Sequence, residues 1–145
     1  MTWRARISSL SANAQFAGPS SPDEIANLES ALGVRLPGEL RTLLEETDGI
    51  VGEYGLGLVW PVSRIRQDNL RFRRSADFRE LYMPFDCLLF VADAGNGDQF
   101  AYSILGGAIR RNDIFAWDHE NDSRRWVAPN LGTYFEWWLT GRLTI

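Results

Sequence analysis

The chain contains no lysine: all 15 of its basic residues are arginine, an imbalance read as codon bias rather than chemistry. It has one cysteine, Cys87, one histidine, His119, and no apolar run approaching the roughly 20 residues that cross a bilayer. Each scarcity excludes something. A lone thiol forbids an intrachain disulfide and removes the disulfide-stapled extracellular class, so a reducing, cytoplasmic setting is expected. Arg4 and Arg6 near the start are not followed by an apolar stretch, so no secretory signal is read there. The formal charge of −4 provides no basic face for a phosphate backbone, so neither direct nucleic-acid binding nor membrane association is expected.

What is present suits one globular domain spanning residues 1–145, with 45% hydrophobic and 23% charged residues and room for a core. Residues 1–20 read as an outer helix and a connection. Thr2 caps the helix, Trp3, Ile7, Leu10 and Ala14 recur at helical spacing, and Gly18-Pro19 breaks it. Ser21-Pro22-Asp23-Glu24 is a capping box with proline at the first helical position. Ile25, Leu28 and Leu32 form the apolar face that follows, and Gly33 ends it. Pro37 opens a second helix with Leu40, Leu43 and Leu44, and Asp48-Gly49 closes the pair.

Glycines at 49, 52, 55 and 57 mark a tight loop into a short strand, Leu58-Val59-Trp60, stopped by Pro61. Ser63 is expected to cap an arginine-rich helix with Ile65, Asn69 and Phe72 on one side, and residues 74–84 read as an irregular connection. Between Arg64 and Glu80 six arginines face three acids, against nine and sixteen elsewhere, so the chain is basic here and acidic over the rest. The plain reading of that stretch is a solvated helix face.

Leu88 to Val91 suits a central strand, and Phe100, Tyr102 and Ile104 alternate with Gln99, Ala101 and Ser103 as on a strand with two unlike faces. Asn96-Gly97 signals a hairpin between them. Ile114 to Asp118 and Arg124 to Ala128 continue an antiparallel meander. Asn130 caps a last helix whose stripe runs through Leu131, Tyr134, Phe135, Trp138 and Leu139, with Trp137 off it. Helices, then a meander, then a closing helix give an α+β fold with an antiparallel sheet flanked by helices.

The chemistry-bearing residues concentrate between Leu88 and Trp126. Asp118-His119-Glu120-Asn121-Asp122 invites a metal reading, but neighbours on a strand point to opposite faces and no second histidine completes a zinc set. The sixth and twelfth positions counted from Asp118 are Ser123 and Pro129, where a calcium loop needs glycine and glutamate. These residues therefore read as a turn. Cys87 beside Leu88-Leu89-Phe90 reads as a small buried hydrophobe rather than a nucleophile paired with His119, and Asp93 and Asp98 as flanks of one turn. No cofactor motif is complete. Six tryptophans are many for this length; Trp60, Trp117 and Trp137 are the ones considered as interface anchors.

The order of these signals is similar to a known family. Glu24-Ile25, Leu28-Glu29, Leu32-Gly33, Leu36-Pro37, Leu40, Leu43-Leu44, Asp48-Gly49, Trp60, Asp93, Gly97-Asp98, Trp117-Asp118-His119-Glu120 and an aromatic C-terminal helix resemble the SUKH superfamily of Smi/Knr-type domains, from Ser21 to Leu139. Two positions depart: Asp48-Gly49 stands where the family often has Asn-Gly, and Ser103 where many members carry an acid. The resemblance implies helices around an antiparallel sheet, no catalytic activity and, in bacteria, a protein that binds and neutralises a cognate toxin, often a nuclease. A partner-binding surface is then expected at Asp48, Trp60, Asp93, Asp98, Trp117, Asp118, His119, Glu120 and Trp137, with no metal and no cofactor. A regulatory or small-ligand-binding module using the same groove is the alternative.

Overall fold

A computed structural model describes residues 2–145. Helix α1 (Trp3–Leu10) starts where the Thr2 hydroxyl accepts the Ala5 N–H at 3.1 Å. It ends at Leu10, short of Ala14. The chain then extends into β1 (Gln15–Phe16), a strand that the helical spacing of the apolar residues concealed. Helix α2 (Pro22–Leu32) carries the full capping box and ends on Gly33 in the left-handed conformation. Helix α3 (Gly38–Glu46) buries Leu40, Leu43 and Leu44.

Strands β2 (Ile50–Val51) and β3 (Gly57–Val59) complete a three-stranded antiparallel sheet with β1, in the order β1-β2-β3. A 3-10 turn, Glu53–Gly55, separates them. Helix α4 (Val62–Arg74) starts one residue before the expected Ser63 cap. Its first N–H, on Val62, is received instead by the Asp48 carboxylate at 2.8 Å. The supposed irregular connection contains α5 (Ala76–Leu81), capped by the Ser75 hydroxyl. Only six residues long, α5 gives too little apolar periodicity to see in sequence.

Strands β4 (Leu88–Asp93), β5 (Gln99–Ser103), β6 (Ile114–Trp117) and β7 (Arg124–Ala128) form the antiparallel meander, and α6 (Leu131–Leu139) follows, capped by Asn130. The fold is α+β, as the order of elements implied. Phe72 of α4 packs on Phe90 and Trp117 from one side of the sheet, with ring centroids 4.9 and 5.7 Å away. From the other side Tyr134 and Trp138 of α6 meet Phe100 at 4.8 and 5.2 Å. Strand β5 is therefore covered on both faces: Gln99 through Tyr102 are all buried, its two unlike faces each under a helix. Cys87, expected in the core, is exposed just before β4.

Strand β4 is an edge of the four-stranded sheet, yet its outer edge is not left to solvent. The Asn69 side chain, 1% exposed, donates to the Phe90 carbonyl at 2.8 Å and accepts the Phe90 N–H at 2.8 Å. One residue further, the Trp60 N–H bonds the Val91 carbonyl at 2.7 Å and joins the two sheets. A side-chain amide thus occupies the place of a neighbouring strand. Replacing Asn69 by leucine strands two buried backbone groups, and chemical denaturation should show a loss of about 2–5 kcal/mol.

Glu29 joins α2 to the chain entering α3. Its Oε2 accepts from the Leu36 N–H at 2.8 Å and from Arg41 at 2.6 Å. Burial pushes the carboxyl up, but the Arg41 and Leu36 bonds outweigh it and hold the pKa below the ordinary 4.5. A depressed carboxyl stabilises the fold above its unfolded pKa and loses that contribution as pH falls through the folded one. The wild type should therefore exceed Glu29→Gln by about 1 kcal/mol at neutral pH, after allowance for the exposed Arg41, and thermal melts should converge in acid.

Candidate partner-binding face

Two turns of the meander meet at one end of the sheet. In the β4–β5 turn the Ala94 N–H bonds the Asp98 carbonyl at 3.0 Å, and the Asn96 side chain accepts the Asp98 N–H at 3.0 Å. Gly95 and Gly97 both adopt positive φ, so the loop spans three residues rather than the expected two-residue Asn-Gly reversal. Gly97 is doubly required, because a Cβ there would stand 2.9 Å from His119 Cε1. In the β6–β7 turn, Asp118 Oδ1 accepts the Glu120 N–H at 2.8 Å and Asn121 accepts the Ser123 N–H at 2.9 Å, the local bonds for which these residues are favoured in turns.

The two turns are locked together by Asp98 and His119. Asp98 Oδ1 accepts the His119 backbone N–H at 3.1 Å and lies 2.7 Å from His119 Nδ1. Burial pushes the Asp98 carboxyl up, but the His119 bonds outweigh it and hold it below the usual carboxylate range; in return Asp98 raises the His119 pKa. Tyr82 adds a third tie through its hydroxyl, which donates to the His119 carbonyl at 2.8 Å.

Beside this lock lies a cleft of about 230 Å³ walled by Asn96, Asp98, Asp118, His119, Glu120 and Arg125. Asn96 and Ile145 also border a wider groove of about 950 Å³, so the two lie side by side. The groove runs along Glu53, Tyr54 and Leu56 to Trp138 and Leu143. Tyr54 is fully exposed and holds φ of 58°, in the left-handed region that a bulky side chain rarely occupies.

Of the nine residues read as partner-binding in the sequence, Asp98, Asp118, His119 and Glu120 gather at the cleft, and Asp93 borders the groove while accepting a two-pronged Arg64 bond at 2.7 and 2.9 Å. The other four lie elsewhere. Asp48 is taken up by the Val62 N–H and the Ser20 hydroxyl, at 2.8 and 2.9 Å. Trp60 is wholly buried beneath the Arg64 guanidinium, which sits 4.1 Å from its ring. Trp117 is 3% exposed and donates its indole N–H to Asp122 at 2.7 Å. Trp137 stands with Trp126 and Arg142, against β7. The groove also brings in Glu53, Tyr54, Leu56 and Ile145, which the sequence reading did not single out. An aromatic between two glycines of a tight loop was the available signal for Tyr54.

Asp122 supports the face from behind. Its carboxylate accepts from Trp117, from the Met83 N–H at 2.9 Å and from Arg124 at 3.1 Å, and its own φ is 61°. Replacement by alanine removes those bonds and places a residue poorly suited to positive φ. Urea unfolding should register a loss of about 3 kcal/mol, and Asp122→Asn, which tolerates the backbone, should lose less.

Comparison with known proteins agrees with this architecture. No curated protein matches the chain significantly. A family model does, described as SUKH_6, SMI1-KNR4 cell-wall, and it covers residues 22–135, from the capping box of α2 through both turns to the middle of α6. No helix among the described residues is long and apolar enough to cross a membrane. By the extent of that match the chain belongs to the SUKH family of SMI1-KNR4 cell-wall domains.

Proposed function

We propose that this chain is a non-enzymatic protein-binding domain that works in the cytoplasm as an immunity protein, binding and neutralising a cognate toxin such as a nuclease. Family membership over residues 22–135 carries the reading. The adjoining cleft and groove support it, because they combine what a protein interface uses: an exposed aromatic anchor in Tyr54, apolar floor at Leu56 and Leu143, and a polar rim. The rim carries Glu53, Asp118 and Glu120 against Arg125, an acidic balance that suits the basic surface with which a nuclease holds phosphate.

The test is a toxin domain encoded beside this chain, purified and titrated by calorimetry alongside an activity assay. Binding at nanomolar Kd with loss of toxin activity is the expected result. Tyr54→Ala should weaken it by about 30-fold, the weight of a buried aromatic anchor, with the melting temperature unchanged. A chain that neither binds nor protects would leave the regulatory or small-ligand reading of the groove in its place.

A further inference from the structure

The sequence argued against a metal because adjacent strand residues diverge, but β6 stops at Trp117 and that premise fails: Asp118 and His119 lie in the turn. The third donor, Asp98, comes from the other turn. One ligand atom from each of the three lies within 4.8 Å of the others. Ligands around a zinc-sized ion at about 2.0–2.2 Å stand roughly 3–3.6 Å apart, so a small side-chain adjustment closes the set.

The arrangement is more than surface acidity. Asp98 is 5% exposed, and the His119 backbone N–H fixes its carboxylate at the cleft wall. The His119 ring lies so close to Gly97 that a Cβ there would stand 2.9 Å from its Cε1, and the Tyr82 hydroxyl holds the His119 backbone through its carbonyl. His119 Nδ1 lies 2.7 Å from Asp98 Oδ1, so two of the donor atoms already stand side by side. The cation on the cleft wall, Arg125, is turned to the Thr144 carbonyl at 3.3 Å, and Glu120 borders the space left open.

We propose that this cleft binds a divalent transition-metal ion of the zinc or manganese kind, held by Asp98, Asp118 and His119. An imidazole with two carboxylates selects these ions over calcium and magnesium, which take oxygen alone. Three protein ligands leave a coordination position facing the groove for water or a partner's side chain. The site stands independently of the immunity reading.

Calorimetry with tag-free, EDTA-stripped full chain tests it, using zinc and manganese chlorides against calcium and magnesium chlorides. One ion per chain at micromolar Kd is expected for zinc or manganese, with calcium and magnesium at least about tenfold weaker. His119→Gln and Asp118→Asn, both in a turn at the surface, should each lower affinity by about tenfold or more. Cys87→Ser should leave it unchanged. Far-UV circular dichroism of the stripped variants separates lost ligands from lost fold, and cobalt chloride adds a visible spectrum that reports nitrogen and oxygen ligation directly. Absence of saturable binding below about 1 mM overturns the proposal. So does affinity that survives His119→Gln or vanishes with Cys87→Ser.

Discussion

The bond pair between the Asn69 side chain and the Phe90 backbone ties α4 to the outer edge of β4. An edge strand with free N–H and C=O groups invites pairing with another chain, and here an amide from α4 removes the invitation at its middle. Because Asn69 sits one turn beyond Ile65 and one before Phe72, satisfying Phe90 also seats the whole apolar face of α4 on the sheet. The Trp60 N–H then joins Val91, so the small sheet is carried along. With β4 held from the side, the β4–β5 turn has one place to go, and it projects toward the turn between β6 and β7.

The elements legible in the sequence were those whose signals are local. The Ser21 capping box, the Leu40-Leu43-Leu44 stripe, the four strands of the meander and the Asn130 cap all rest on residues within one or two turns of each other. What stayed hidden depends on distant partners. Asp48 reads as a turn residue, and only the fold reveals that it caps a helix fourteen positions on. Strand β1 hides inside a helical spacing because two residues, Gln15 and Phe16, take their identity from Val51 and Ile50 opposite. Alternation marked β5 as a strand but not what covers it: two helices do, so its small residue, Ala101, faces a helix instead of water.

The same division explains the site. Asp118, His119 and Glu120 are neighbours in sequence, and the hairpin brings Asp98 to them. The sequence reading mistook Trp60 and Trp117 for anchors, because a tryptophan's sequence context does not distinguish a seam residue from a surface one. Both are consumed inside, one under Arg64 and one in a cluster of rings with Phe72, Phe85 and Phe90. Tyr54 is fully exposed, and its backbone conformation is strained.

Carboxylates at this end fall into two groups, and the difference bears on recognition. Asp93 is held by Arg64, Asp98 by His119 and Asp122 by three donors, so their charges are spent on the fold. Acids bonded in this way, Asp98 buried and Asp93 and Asp122 partly so, contribute less field to a partner than free ones. Asp118 and Glu120 stand at the rim, and Glu53 lies across the groove beside Tyr54. Charges at a rim steer encounter and reject wrong partners, while a desolvated aromatic supplies the binding energy. On the proposed partner-binding reading, specificity and affinity therefore fall to different residues of one face, with the rim charges standing apart from the lock beneath them.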